Sequence, residues 1–318
     1  MSRYGDGVGM YRTHLFGSPM IIACTPSANK FVLQSDSRFV LNLAPRLPSN
    51  RGHKEVESQP IRKQRRLYLQ TLPSSILQAS RRTASWTPST IYSWVFLVDL
   101  ELILSIFQEL LFTMHSSVVG KQRPYLDKSW KQGRRYVSTS LVVMWALYYL
   151  AKHPQILQKL RDEHMPISKK LKGDFITYEE IASCKYTAKV VEEVIRMANI
   201  AAFIFRTAKK DVRLQRIPKG WTVVCWLRYL HTNPEHFEDP MCFNPDRWNE
   251  APKTGSYLVF GGGTRICAGN MFARLQLTII IHHLAVGYRW KLVNPNVGMS
   301  YLPHPKPADE VELDISQI

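Results

Sequence analysis

One cysteine of this chain stands where a thiol is chemically useful. Cys267 follows a glycine-rich loop that contains Arg265, and it precedes an apolar segment, Asn270 to Leu284, that is predicted to be a helix. A helix N-terminus and a nearby guanidinium both favour the thiolate form of cysteine. A thiolate is a nucleophile or a metal ligand, and the glycines favour the ligand because they let the backbone approach something large and flat. The alternative is a buried, inert cysteine.

The residues around this cysteine form a longer pattern. The stretch from Phe260 to Gly269 has the sequence F-G-G-G-T-R-I-C-A-G, and it resembles the haem-binding signature F-x-x-G-x-R-x-C-x-G of the cytochrome P450 family. Every specified position is filled, by Phe260, Gly263, Arg265, Cys267 and Gly269. The resemblance implies haem b with Cys267 as the axial iron ligand, a thiolate that favours O–O bond cleavage. It also implies that Phe260 packs over the sulfur.

Two arginines are candidates for binding the carboxylates of the haem. Propionates prefer guanidinium partners, which donate two parallel hydrogen bonds. The resemblance implies that Arg265, in the haem loop, and Arg206, in the sequence F-R-T-A, hold the propionates. The alternative for Arg206 is an exposed arginine at the end of a strand.

Two further motifs occur in the order that the family has them. Glu193 and Arg196 lie three residues apart on a helix predicted over Ala188 to Ala198, so they share a face and can pair. On a surface such a pair is worth less than about 1 kcal/mol. The later segment F-N-P-D-R-W at 243–248 contains Arg247. The resemblance implies that Glu193, Arg196 and Arg247 form a buried salt-bridge triad with a structural role.

The distal side of the expected haem site departs from the family. The family's helix over the haem has the pattern small-Gly-x-acid-Thr, whereas residues 134–138 are R-R-Y-V-S. Val137 therefore replaces the acid that relays protons, while Ser138 and Thr139 are the candidates for the catalytic hydroxyl. Two arginines above the haem would crowd dioxygen and bury charge at high cost. The alternative function is a degenerate member that binds haem but monooxygenates poorly or not at all.

Segments further along resemble plant members of the clan of kaurenoic acid oxidases and brassinosteroid hydroxylases. They include residues 197–206, 218–221, 228–231 and 301–305. The resemblance implies hydroxylation of a small, apolar, polycyclic terpenoid or steroid by O2, with electrons delivered from NADPH by a reductase. It also implies a substrate pocket lined by Ala201, Ala202, Phe203, Leu302 and Pro303. Ordinary core packing explains these residues nearly as well.

The composition restricts the rival functions. The 318 residues are 45% hydrophobic and 21% charged, which is typical of a globular protein. Five scattered cysteines form no disulfide framework. The net charge of +17 raises binding to nucleic acid or to a membrane surface as a rival. The basic residues are spread without a long tract, so no nucleic acid partner is expected. They form either a solvated face or a docking surface for an acidic redox partner.

Local patterns predict a mainly α protein with small β-sheets, a partial cytochrome P450 fold of the α+β class. Strands are predicted over Met10–His14 and Met20–Cys24, and Thr25 is predicted to cap the helix that follows. Ser138–Ser140 are predicted to cap a helix, and the next helix is predicted over Pro154–His164. Three parts are expected: an N-terminal sheet-and-helix piece at 1–50, an atypical segment at 51–137 and a C-terminal haem-binding core at 138–318.

The expected location follows from the family. The start of the chain has no signal peptide, and the apolar stretch Ile91–Val119 contains too many charges for a membrane span. The resemblance implies the cytosolic face of the endoplasmic reticulum membrane. Because no anchor is recognised in this sequence, a cytosolic or peripheral protein is the alternative.

Overall fold

The computed structural model describes residues 9–15, 18–42, 137–171, 176–212, 217–300, 305–309 and 311–318. Leu302, Pro303 and nearly all of the predicted atypical segment lie outside the described residues. The described residues belong to one unit of the chain. Their elements are helices accompanied by small sheets, which confirms the predicted fold class.

The largest sheet joins the start of the chain to its second half. Its strands in chain order are β1 (Met10–Leu15), β2 (Ser18–Ala23), β3 (Phe39–Asn42), β4 (Phe203–Ala208) and β5 (Thr222–Trp226). The spatial order is β1-β2-β5-β4-β3. β2 and β5 are parallel, and the other pairs are antiparallel. Arg206 of β4 is therefore a central-strand residue, opposite Leu41 on one side and Val223 on the other.

Two short sheets lie near the C-terminal end of the chain. Their strands are β6 (Tyr288–Leu292), β7 (Met299–Ser300), β8 (Lys306–Pro307) and β9 (Leu313–Gln317). β6 pairs with β9 and β7 pairs with β8, both in the antiparallel sense.

The helices supply most of the core. They are α1 (Pro26–Gln34), α2 (Val137–Lys152), α3 (Pro154–Leu171), α4 (Tyr178–Ser183), α5 (Lys185–Ala198), α6 (Leu227–His231) and α7 (Asn270–Gly287). Short 3-10 turns cover Pro245–Asn249 and Gly263–Arg265. Thr25 caps α1 as predicted, since its hydroxyl accepts the Ala28 N–H at 3.3 Å.

Two helix boundaries differ from the sequence-based expectation. α2 begins at Val137, so Ser138–Ser140 lie inside its first turns and do not cap it. Serine and threonine serve as caps only where the backbone before the helix is extended. α3 continues past His164 to Leu171 and contains Pro166. Proline removes one backbone donor, but lysines in the last turn are good helix formers and complement the helix dipole, so the helix continues.

The buried faces of α2, α3, α5 and α7 pack into one hydrophobic cluster. Trp145, Leu160, Val194 and Leu277 lie in it and are at most 2% exposed. A second cluster lies between the largest sheet and α1. Among the helices that the structure describes, none has the length and apolarity needed to cross a membrane.

Candidate functional site

The loop around Cys267 is a tight backbone structure that ends in a helix. The N–H of Cys267 donates to the carbonyl of Phe260 at 2.9 Å, and this bond closes the loop. The carbonyl of Cys267 accepts from the side-chain amide of Asn270 at 2.7 Å. The thiol itself is exposed. Because α7 begins at Asn270, Cys267 lies just before the N-terminus of that helix.

Glycines let this loop pack closely on its neighbours. Gly263 has φ of 72°, and a Cβ at this position would lie 2.2 Å from the carbonyl oxygen of Leu33 in α1. Only glycine avoids both the left-handed backbone strain and that clash. A Cβ at Gly269 would lie 3.9 Å from the sulfur of Cys267, which is an ordinary van der Waals contact, so the space beside the thiol does not by itself require glycine there.

Arg206 and Arg265 are close enough to repel each other. Arg206 is only 3% exposed, and burial lowers its pKa, with a further decrease from the positive charge of Arg265. Its Nη1 donates to the carbonyl of Phe205 at 3.1 Å, but its Nε has no partner among the described residues. Nε of Arg265 lies 3.7 Å from the Asp36 carboxylate, too far for a hydrogen bond.

These two arginines provide a test of whether haem fits. Neighbouring guanidinium groups with unused donors are stabilised by carboxylates placed between them. The haem propionates are such carboxylates, and the exposed Cys267 sulfur is a suitable axial ligand. The residues present therefore fit haem.

The structure brings Glu193, Arg196 and Arg247 together. Arg196 donates to both carboxylate oxygens of Glu193 at 2.8 Å, and Nε of Arg247 donates to the same carboxylate at 3.0 Å. The side chains of Glu193 and Arg196 are 0% exposed. The indole N–H of Trp248 and the backbone N–H of Asn244 add two more donors, each at 3.0 Å. Oε1 of Glu193 thus accepts three hydrogen bonds and Oε2 accepts two.

Sequence analysis missed a second ion pair beside this one. Glu192 accepts from Nε of Arg274 on α7 and from the hydroxyl of Tyr257 at 2.6 Å. The Arg274 guanidinium lies over the Phe260 ring, 4.6 Å from its centroid. Burial and the adjacent Glu192 raise the pKa of Tyr257 well above its usual range, so its hydroxyl stays a donor. A pair of adjacent glutamates was visible in the sequence, but their partners depend on tertiary packing.

His231 is a further residue that sequence analysis missed. Its Nε2 accepts the N–H of Leu258 at 3.1 Å, two residues before Phe260, and its Nδ1 lies 3.2 Å from the side-chain oxygen of Asn199. Burial lowers the pKa of His231 to about 3, so the ring is neutral with its proton on Nδ1. This histidine connects the start of the haem loop to the end of α5.

The predicted distal and substrate residues are only partly described. Ser138 is exposed and Thr139 half-buried in the first turns of α2. Ala201 is exposed, Ala202 is half-buried, and Phe203 is 47% exposed with its ring against Trp226. Arg134, Arg135, Tyr136, Leu302 and Pro303 lie outside the described residues. No described contact joins Ser138 or Thr139 to the predicted pocket residues.

A family model and the curated relatives that match this chain all describe cytochrome P450 proteins. The family model "Cytochrome P450" matches residues 136–303. The chain is 43% identical over 180 residues to (1S)-1-hydroxy-luvungin A synthase CYP88A37 of Citrus sinensis, a match that covers 54% of this chain and 36% of that protein. It is 39% identical over 176 residues to ent-kaurenoic acid oxidase 2 of Arabidopsis thaliana, with coverage of 54% and 36%. The chain thus spans about a third of the length of the curated relatives it matches.

A solved structure shows the same fold. The retinoic acid bound cyanobacterial CYP120A1 superposes with a TM-score of 0.69 at 19% identity, covering 98% of this chain and 92% of that chain. Haem held by a cysteine thiolate is the cofactor of the family that the family model describes. Because that model matches more than half of the 318 residues, this chain belongs to the cytochrome P450 family.

Proposed function

We propose that this chain carries the haem-binding part of a monooxygenase that hydroxylates an apolar, polycyclic terpenoid. The observation that carries the proposal is the exposed thiol of Cys267 together with Arg206 and Arg265, whose donors are incompletely used. Relatives named as oxidases of ent-kaurenoic acid support the substrate class. When bound, haem with a thiolate ligand supplies the activation of O2 that inserts one oxygen atom into a C–H bond.

Each residue of the loop has a distinct role in this proposal. Cys267 binds the iron through its sulfur and lies just before α7. Arg206 and Arg265 bind the propionates and so fix the orientation of the macrocycle. By resemblance to the family, Phe260 packs over the sulfur of Cys267, and the guanidinium of Arg274 lies over its ring.

One buried and one half-buried charge network support this geometry. Glu193 holds Arg247 and Trp248 of the segment that precedes the loop. Glu192 holds Arg274 of the helix that follows the loop. Since the two glutamates are neighbours on α5, that helix fixes the chain on both sides of the haem loop. These residues position the site and take no part in the reaction.

Substrate binding and proton delivery rest on the resemblance and on local chemistry. Ala201, Ala202 and Phe203 offer the small and aromatic surface that a fused-ring ligand needs, together with Leu302 and Pro303. Ser138 or Thr139 would pass on the two protons that each hydroxylation consumes when one oxygen atom of O2 enters the substrate and the other leaves as water. NADPH supplies both electrons through a reductase, and by family likeness the protein works at the cytosolic face of the endoplasmic reticulum membrane.

A second candidate function follows from the residues before Ser138. Val137 has no group that can relay a proton, and Arg134 and Arg135 bring two charges to the same segment. This sequence favours a haem-binding protein with little or no turnover. The two candidates share the Cys267 site and differ only in catalysis.

The difference spectrum of the reduced, carbon monoxide-treated, haem-loaded full chain tests the site. We expect a strongly red-shifted Soret band, which marks thiolate ligation, and its loss in Cys267→Ala. Cys242→Ala is the matched control, since Cys242 is the other exposed cysteine among the described residues. A normal red-shifted band in Cys267→Ala would rule out this ligand.

Substrate-dependent NADPH consumption with a plant reductase then separates the two candidates. Product formed from a fused-ring terpenoid acid supports the monooxygenase. A protein with the red-shifted band but without substrate-dependent turnover supports the haem-binding alternative.

A further inference from the structure

Two aromatic side chains that can each lose an electron lie in contact just before the haem loop. Tyr257 comes three residues before Phe260, and its ring meets the ring of Trp248 edge to face, with 4.6 Å between the two centroids. Tyrosine and tryptophan are the aromatic side chains that are most readily oxidised by one electron, and rings in contact exchange electrons efficiently. The pair therefore has both the chemistry and the proximity of an electron relay.

Each member of the pair has a carboxylate at its polar atom. The hydroxyl of Tyr257 donates to Oε2 of Glu192 at 2.6 Å, and the indole N–H of Trp248 donates to Oε2 of Glu193 at 3.0 Å. A phenol that loses an electron becomes strongly acidic, and the hydrogen-bonded carboxylate can take its proton without movement of the heavy atoms. A tryptophan that loses an electron becomes a cation, which the negative charge of Glu193 stabilises. Both hydrogen bonds thus favour oxidation of the two side chains.

A series of contacts connects this pair to the haem loop. Nη2 of Arg274 donates to Oε2 of Glu192 at 3.1 Å, the oxygen that also accepts from Tyr257. The same guanidinium lies over the Phe260 ring, 4.6 Å from its centroid. Phe260 in turn accepts the N–H of Cys267 at its carbonyl. Side chains in contact therefore lead from the loop that holds the proposed iron ligand to Tyr257.

Trp248 connects the pair to solvent. It is half-buried, and it lines a cavity of about 620 Å³ whose wall also includes the exposed residues Glu238 and Glu250. A cavity of this size admits a small molecule from solution. Trp248 is therefore the member of the pair that a dissolved reductant can reach.

We propose that Tyr257 and Trp248 form a relay that carries oxidising equivalents away from the haem when no substrate uses them. Tyr257 gives one electron to the oxidised haem, and its phenol proton passes to Glu192. Trp248 then gives an electron to the tyrosyl radical while Glu192 returns the proton, which leaves a tryptophan radical cation beside Glu193. A small thiol in the cavity gives one electron to that cation and its proton to water, and two of the resulting thiyl radicals join as a disulfide.

The relay would protect the iron ligand. A cysteine thiolate is the side chain most susceptible to stepwise oxidation, first to the sulfenic acid, and the Cys267 thiol is exposed. An oxidising equivalent that leaves through Trp248 no longer threatens this sulfur. The proposal rests on the proposed haem site but not on hydroxylation, so it applies to both candidate functions.

Electron paramagnetic resonance of the haem-loaded full chain, frozen soon after mixing with a peracid, tests the relay. A peracid oxidises haem without a reductase or a substrate. We expect a tyrosyl signal that is lost in Tyr257→Phe, a substitution that removes one hydroxyl. In Trp248→Phe the tyrosyl signal should persist longer, and the small thiol cysteamine should no longer shorten its lifetime. Formation of the signal should be slower in heavy water, because the phenol proton moves to Glu192 in the same step.

Matched controls separate this pair from the other aromatic side chains. Tyr178→Phe, on α4, and Trp221→Phe, just before β5, should both keep the wild-type signal. A loaded chain whose signal is unchanged in Tyr257→Phe, or is lost equally in Tyr178→Phe, would overturn the relay alone. Should Tyr257→Phe load haem poorly, an unchanged radical lifetime in Trp248→Phe would still contradict it. Loading is read separately from the Soret band, and a chain without that band would overturn the haem site together with the relay.

Discussion

Replacing Glu193 by glutamine tests the buried charge network most directly. The Glu193 carboxylate accepts five hydrogen bonds: two from Arg196 and one each from Arg247, Trp248 and the backbone of Asn244. A glutamine amide has one acceptor oxygen, and its NH2 group would face donors. The substitution therefore leaves two guanidinium groups without a counter-charge. Removing one partner of a buried ion pair costs about 3–5 kcal/mol, a large fraction of the roughly 5–15 kcal/mol that stabilises a typical domain.

Urea unfolding of the haem-loaded protein measures this cost. Far-ultraviolet circular dichroism follows the chain and Soret absorbance follows the cofactor, and the free energy of unfolding from the dichroism transition should fall by about 3–5 kcal/mol in Glu193→Gln. Glu179→Gln, at an exposed position on α4, is the control and should change stability by less than about 0.5 kcal/mol. A loss below about 1 kcal/mol in Glu193→Gln is the value of a solvated surface pair. That result would refute the assignment of the network as a buried structural support.

Three other predictions concern the glycine in the haem loop, the contact of Arg274 with Phe260, and the loss of stability at low pH. Gly263→Ala should lower the free energy of unfolding by more than about 2 kcal/mol and reduce haem retention, because of the positive φ and the clash with α1. The control Gly287→Ala, which has open space around its Cβ, should cause neither change. Equal melting temperatures for the two variants would contradict this reasoning. Arg274→Met should shift or broaden the Soret band, because the substitution removes the guanidinium that lies over the Phe260 ring. An unchanged absorption spectrum would contradict this role of Arg274. Because burial lowers the pKa of His231 to about 3, the unfolded chain binds a proton below about pH 6.5 that the folded chain does not. Stability should then fall as the pH decreases from about 6.5 towards 3, and urea unfolding at several pH values should show a weaker fall in His231→Gln.

Local chemistry made part of this molecule predictable. The cap at Thr25 depends on residues adjacent in sequence, and the pairing of Glu193 with Arg196 depends on helical spacing alone. By contrast, β3 was not predicted, because the four-residue strand gains its partners only when β4 lies beside it. The continuation of α3 past Pro166 was also missed, because a local proline signal was outweighed by the helix formers that follow it.

Most contacts around the haem loop also could not be predicted from local sequence. The ligand and the glycines lie in one continuous motif, so their types and spacing identify the site. Arg206 comes from β4 and Arg265 from the loop, and only the packed sheet and α1 bring them together. The contact of Arg274 with Phe260 likewise requires α5 to hold Glu192 in place. No periodicity in the sequence encodes such long-range pairings.

Adjacent glutamates on α5 explain why the loop geometry is so strongly determined. Successive residues of a helix point about 100° apart, so Glu192 and Glu193 act on different neighbours. Glu193 binds the segment before the loop through Arg247, and Glu192 binds α7 after the loop through Arg274. The start of the loop is connected to the end of the same helix through His231. Three attachments to one helix, of which the Glu193 network is a fully buried ion pair, hold the loop that carries the Cys267 thiol, and a haem ligand needs such a fixed position.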